Sequence, residues 1–167
     1  EVFVPADDPV KIVRLRVENT WDRVRRITAT FYVEWVLGVT REAMQQYVIS
    51  EYDGETQALL ARNPYNEEFG ARVAFAAASK VLHGLTTDRT EFLGRHGDRA
   101  MPAALQRIGL SGAVQAGFDP CAALQVHLDL LPGQADEIWF VLGQAGDRDE
   151  AVRLAGLYKQ PEEVAGA

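Results

Sequence analysis

The chain has 167 residues, a 47% hydrophobic fraction, and 17 basic against 24 acidic side chains for a net charge of −7. That suits one domain with a sizeable core and excludes a disordered or low-complexity segment. The surplus of carboxylates argues against a protein whose affinity comes from neutralising phosphates, so nucleic acid is not an expected partner. Apolar runs such as "VAFAAA" and "IWFVLG" stop far short of the roughly 20 residues that span a bilayer, and no signal peptide is visible, so membrane contact by this chain is not expected either. The sequence opens at Glu1 in "EVFVP" and reads as a piece of a longer chain. A single cysteine, Cys121, excludes an intrachain disulfide framework and points to a reducing, cytoplasmic setting.

From Lys11, "KIVRLRVENTWDRVRRITATFYVEWVLG" alternates with period two. Val13, Leu15 and Val17 share one face, and Ile27, Ala29, Phe31, Val33 and Trp35 share one face after the break. Asn19, Thr20 and Asp22 favour a turn, so a hairpin of two long strands is expected, with Arg23, Arg25 and Arg26 on a solvated strand face. A second hairpin is expected in "YVISEYDGETQALLARNP", turning at Asp53-Gly54, and "ARVAFAAAS" is a further strand. Residues 82–120 read as a connection far longer than the usual four to six or so, holding one short helix at "PAALQRI"; loops of that length tend to be functional or to wrap a neighbour. In "CAALQVHLDLLPGQADEIWFVLG", Leu124, Val126, Leu128 and Leu130 alternate with Gln125, His127 and Asp129, and Pro132-Gly133 makes a third hairpin. Long antiparallel strands with one polar face imply an all-β sandwich. From Asp147 the period becomes helical: Asp147 and Glu150 read as a capping box, Leu154 and Tyr158 lie on one stripe, and Pro161 ends that helix and opens another. The domain reading is a β-sandwich region over residues 1–146 and a helical linker over 147–167.

The candidate chemistry is sparse. His83, His96 and His127 stand far apart in sequence with no partner at metal-ligand spacing, so no metal site is expected. Cys121 follows Pro120 at a strand start, the setting of a small half-buried hydrophobe rather than an activated nucleophile. No phosphate loop, serine elbow or paired-histidine motif occurs, so no catalytic residue is assigned. What remains is "TTDRTEFLGRHGD". Asp88, Glu91 or Asp98 could supply the acid that glycosidic cleavage needs, and Arg89 and Arg95 could hold a phosphate or sugar hydroxyls. Against this stands a simpler reading, in which Asp88 and Arg89 cap turns and form ion pairs that lock the loop while Phe92 and Leu93 anchor it. The substrate-loop candidates are Asp88, Arg89, Glu91 and Arg95.

Six segments in order, "FVPADDPVKIVRLRVENT", "YVEWVLG", "LLARNPYNEEF", "TDRTEFLGRHG", "GFDPCAALQVHLDLLPGQ" and "IWFVLGQA", resemble the N-terminal β-sandwich region of glycoside hydrolase family 94, in particular the phosphorylase-like domain of cyclic β-1,2-glucan synthases. The resemblance implies an antiparallel super-sandwich of the galactose-mutarotase type, incomplete at its N-terminal side and followed by linker helices. It further implies a parent enzyme that phosphorolyses β-glucosides with inversion, taking inorganic phosphate as cosubstrate and needing no other cofactor. The general-acid aspartate of such enzymes lies in a helical (α/α) barrel that this chain lacks. The implied partners are a β-glucan or β-glucoside oligosaccharide and that barrel; an uncovered sandwich edge adds self-association, with a homodimer as one form of it. The implied location is cytoplasmic, on the cytoplasmic side of an inner-membrane parent in the synthase case. The expected function is thus a non-catalytic sandwich fragment supporting the barrel. The alternative is a free-standing carbohydrate-binding module whose Trp21, Tyr47, Tyr52 or Tyr65 stacks on sugar rings.

Overall fold

A computed structural model describes residues 1–116 and 119–167. Its strands are β1 (Val2–Phe3), β2 (Val10–Glu18), β3 (Arg25–Glu34), β4 (Ile49–Asp53), β5 (Ala58–Arg62), β6 (Val73–Ala78), β7 (Gly84–Asp88), β8 (Pro120–Leu130) and β9 (Ala135–Ala145). Its α-helices are α1 (Arg41–Met44), α2 (Arg89–Leu93), α3 (Arg148–Leu157) and α4 (Pro161–Gly166). The strands make two sheets, one of six in the order β1-β2-β9-β6-β5-β4 and one of three in the order β3-β8-β7, with antiparallel pairing throughout.

The sheets face each other across Leu59, Ala76 and Phe140 from the larger and Leu124, Val126 and Leu128 from the smaller. The other face of the larger sheet is equally dry, because Ile12, Leu60, Phe75 and Val141 pack against Leu154 and Ala155 of α3 and Val164 of α4. Burial on both faces explains why "ALLA" and "VAFAAA" run apolar without alternation. Gly143 sits in β9 where a Cβ would run into the Phe75 ring, so its lack of a side chain makes room for the aromatic. The expected capping box is formed with a one-residue offset: Asp147 accepts from Glu150 N (2.9 Å), while Glu150 Oε2 accepts from Gly146 N (2.7 Å). The tail is then tied to the sheet by Trp139 Nε1, which donates to Tyr158 O (2.8 Å), and by the Tyr158 hydroxyl, which donates to Asp8 (2.9 Å). Partial burial and that bond to Asp8 push the Tyr158 hydroxyl up to about 12.

Two of the three expected hairpins are not hairpins. β2 pairs with β9 and β3 with β8, so the "ENTWD" and Pro132-Gly133 connections each carry the chain from one sheet to the other. Period-two alternation on either side of a turn fits a hairpin and an inter-sheet arch equally well, because neither the pattern nor the turn residues specify the pairing partner. The two arches are stitched together by Asn19. Its amide nitrogen donates to Arg23 O (2.8 Å) and Leu130 O (3.0 Å), its backbone N–H donates to Gln134 O (2.9 Å), and its carbonyl accepts from Gly133 N (2.8 Å). The β4–β5 hairpin is formed as expected, with the Asp53 carboxylate accepting from Thr56 N (2.8 Å) and Thr56 Oγ1 (2.7 Å) and with Gln57 in the left-handed region at φ 55°.

Residues 82–120 also differ from expectation, since "GLTTD" forms β7 against β8. The expected helix at "PAALQRI" is a single 3-10 turn, Ala103–Gln106. Three strands do not cover six, so β3 is an open edge. Beside it Leu15 is exposed, and Val13, Phe31 and Val33 are only half-buried, although Val13 and Leu15 pair with Phe140 and Ile138 and so share the inner face.

Candidate functional site

Past β7 the chain folds back as a strap over the outer face of the three-stranded sheet. Asp88 caps α2, its carboxylate accepting from Thr90 N (2.7 Å). Phe92 and Leu93 are buried, and the Phe92 ring stacks on Tyr32 at 4.4 Å between centroids. Gly94 ends the helix at φ 90°, a conformation in which a side chain would be strained. Glu91 then clasps the far side of the strap, its Oε1 accepting from Arg107 (2.7 Å) and Ser111 N (2.8 Å) and its Oε2 from Ser111 Oγ (2.8 Å).

At the end of the sheet a second set of charges is closed on itself. Arg89 donates to Glu34 (3.2 Å) and Asp119 (3.1 Å), Arg41 donates to Asp119 (2.7 Å), and the Tyr32 hydroxyl donates to Glu34 (2.9 Å). Partial burial pushes the Glu34 carboxyl up, but the bonds from Tyr32 and Arg89 and the nearby guanidinium charges outweigh it and hold the group below the usual carboxylate range. Glu91 is shifted the same way: burial opposes, while Thr86, Ser111 and Arg107 prevail. Both shifts favour the ionised, hydrogen-bond-accepting form, the opposite of the shift that a general acid uses.

The four substrate-loop candidates therefore do not converge on one point. Asp88 is committed to a helix cap, Arg89 to the Glu34–Asp119 network and Glu91 to the clasp, while Arg95 is exposed with no side-chain partner among the described residues. The histidines, separated in sequence, are not all separated in space. His83 and His127 lie with ring centroids 3.6 Å apart and ring planes tilted by 31° because β7 and β8 are neighbours. His83 Nε2 donates to Ile108 O (3.1 Å), and His127 Nδ1 bonds Thr28 Oγ1 (3.0 Å). Partial burial, His83 and Arg26 together lower the affinity of His127 for a proton. Among the described residues no group of three His, Cys, Asp or Glu side chains is arranged to hold a metal ion. Cys121 is fully buried, and burial with nearby Asp88, Asp119 and Glu34 pushes its thiol up, the reverse of an activated nucleophile.

One concavity lies beyond the end of β3, in the segment that leads on to Arg41. It is a cleft of about 920 Å³ between the segment after β3 (Leu37, Val39) and the β5–β6 loop (Asn66, Glu67, Glu68, Phe69), floored by Ala74 of β6 and Gln144 of β9. Asn63 pins its two walls together by donating to Leu37 O (2.8 Å). Arg72 reaches across to Gln144 Oε1 (2.7 Å) with its guanidinium 5.9 Å from the Phe69 ring centre. Beside it, Tyr47 and Tyr65 stack at 4.0 Å. Of these residues, only the two tyrosines are expected from sequence as sugar-stacking candidates. Phe69, Arg72 and Gln144 lie on separate segments that only the sheet order brings together.

The fold is a two-sheet antiparallel sandwich with helices packed on its larger sheet and an ion-paired strap on its smaller one. The chain belongs to the glycosyl hydrolase 94 supersandwich domain family, whose model matches residues 1–161. It is 36% identical over 143 residues to the cyclic beta-(1,2)-glucan synthase NdvB of Rhizobium meliloti (85% of this chain, 5% of that protein). It is 32% identical over 155 residues to a solabiose phosphorylase of Paenibacillus borealis and 26% identical over 160 residues to an N,N'-diacetylchitobiose phosphorylase of Vibrio proteolyticus, in each case over 91% of this chain and 20% of the relative. The chain thus spans a fifth or less of the length of the curated relatives it matches. Among the described residues no helix is long and apolar enough to cross a membrane.

Proposed function

We propose that this chain is a non-catalytic supersandwich domain of a β-glucoside phosphorylase or cyclic β-1,2-glucan synthase, and that the strap is the surface it presents to the catalytic part. In this reading the parent takes an oligosaccharide and inorganic phosphate, and its general-acid aspartate stands in a helical barrel reached through α3 and α4, with residues 147–167 as the linker. The parent acts on the cytoplasmic side of the membrane. Arg89 and Asp88 serve by fixing the shape of the strap, and Arg95 stands free at its rim to meet the barrel or the substrate.

One observation carries the reading. Met101, Leu105 and Ile108 are 74%, 72% and 94% exposed, three large apolar side chains within eight residues of a strap whose underside is locked by Phe92, Leu93 and Glu91. A segment that is fixed from below and apolar above is built to be covered. Charged substitutions there, Leu105→Glu with Ile108→Glu, are expected to leave the melting temperature of this chain unchanged while lowering phosphorolysis or glucan synthesis by the longer protein at least ten-fold or so. Wild-type turnover from that double variant would remove the strap from the interface.

The free-standing module remains the second reading because Trp21 and Tyr65 are exposed. Each is partly covered: Tyr65 stacks on Tyr47 (4.0 Å), and Trp21 lies under the guanidinium groups of Arg23 (5.1 Å) and Arg25 (4.1 Å).

A further inference from the structure

We infer that the cleft between the β3–α1 segment and the β5–β6 loop is a binding site for a neutral oligosaccharide. The inference rests on the saccharide-processing reading above and adds to it a place where this domain itself grips the polymer.

The cleft's size falls within the range of sites that take small molecules, roughly 300–1,000 Å³. Its chemistry is that of sugar recognition. Phe69 is 49% exposed in its wall with the Arg72 guanidinium over one side, and Tyr65 is 62% exposed beside it with Tyr47 stacked on one side, which leaves each ring one face for the C–H side of a pyranose. The lining also carries planar polar groups already held in position, Arg72 and Gln144. Gln144 Oε1 fixes Arg72, and among the described residues the remaining guanidinium N–H groups and the Gln144 amide nitrogen have no side-chain or backbone acceptor. Such donors bind hydroxyl oxygens, and the exposed Glu67 and Glu68 carboxylates accept from hydroxyl hydrogens.

The same carboxylates select against a charged ligand. Two acidic side chains flank the one cation in the lining, so a phosphate or sugar phosphate meets repulsion where a neutral sugar meets acceptors. The walls are also preorganised. Asn63 bridges the two segments, and the Asn66 side chain accepts from Glu68 N (3.1 Å) and Phe69 N (3.0 Å), which fixes the loop that carries Phe69. Binding therefore requires little ordering of the protein.

The test is a titration of the isotopically labelled chain with a β-1,2-linked glucose tetramer, followed by amide chemical shifts, with glucose 1-phosphate as the charged comparator. Saturable shifts are expected at residues 37–39, 63–74 and 144, with Phe69→Ala and Arg72→Met each weakening binding by roughly five-fold and leaving distant amides in place. Absence of saturable shifts, shifts centred on Trp21 or the strap, or tighter binding of glucose 1-phosphate than of the tetramer would each overturn the inference. The scaffold reading is judged separately, by turnover of the longer protein carrying the strap variants, so either can fail without the other.

Discussion

The two outer faces of this sandwich are finished in opposite ways. The six-stranded sheet is closed by α3 and α4, with Leu154, Ala155 and Val164 set on Phe75, Leu60 and Val141. The three-stranded sheet is closed by a strap that adds to a small apolar anchor, Phe92 and Leu93 on Tyr32 and Ala123, a set of directional groups: the Glu91 clasp, the Arg89–Glu34–Asp119–Arg41 network and the Asp88 cap. The first closure draws on buried apolar area, which is insensitive to pH and salt. The second draws on charges, which are sensitive to both. The helix layer is part of the core, whereas the strap leaves Met101, Leu105 and Ile108 exposed on its outer side.

The largest expected effect tests the dry side. Leu154→Ala removes a fully buried side chain from the helix–sheet layer and is expected to cost about 3 kcal/mol, read as a shift of the urea midpoint at constant slope. A loss below about 1 kcal/mol would make the helices peripheral and erase the contrast. Next comes Asn19→Ala, which leaves Leu130 O and Arg23 O without their donor where the arches meet. A cost of about 2 kcal/mol is expected, and a neutral result would mean that the arches are held by packing alone.

On the polar side, Glu91→Gln is expected to cost about 1–2 kcal/mol at neutral pH, less than the apolar deletion, because the amide keeps one acceptor for Ser111 but loses the charge facing Arg107. The folded-state carboxyl is held below its ordinary value. Its contribution is therefore fully present above the unfolded value near 4.3 and lost as pH falls through the folded value. Acid titration of the melting temperature should accordingly be shallower in Glu91→Gln than in the wild type, and parallel curves would refute the assigned shift. The smallest effect belongs to His127. Its lowered proton affinity makes its contribution complete above the unfolded value near 6.5 and diminishing below it. His127→Gln should slightly flatten the melting temperature between pH 7.5 and 5.5.

The strands were legible because inner-face residues such as Leu124, Val126 and Leu128 alternate with Gln125 and His127, and the tail helix because Asp147 and Glu150 announce it. Strand partners were not legible. Pairing is decided by which apolar faces meet across the whole sheet, and "ENTWD" carries no record of whether its strands turn back or cross over. β7 escaped notice because "GLTTD" is short and contains two threonines, Thr86 and Thr87, that are buried all the same. Within the loop, Asp88 as a cap and Phe92 and Leu93 as anchors could be read from sequence, since those roles are local. The clasp from Glu91 to Ser111 and the network from Arg89 to Glu34 could not, as each spans distant segments. The cleft was hidden for the same reason: Val39, Phe69, Arg72 and Gln144 meet only once β3, β5, β6 and β9 are in place.

The most direct test of the central claim, that this chain supports catalysis without performing it, is the change in inorganic phosphate when the purified chain is incubated with phosphate and a β-1,2-linked glucan. The account predicts no consumption of phosphate beyond a protein-free control. Turnover that is saturable in glucan and abolished by Glu91→Gln would contradict it and make the strap an active site.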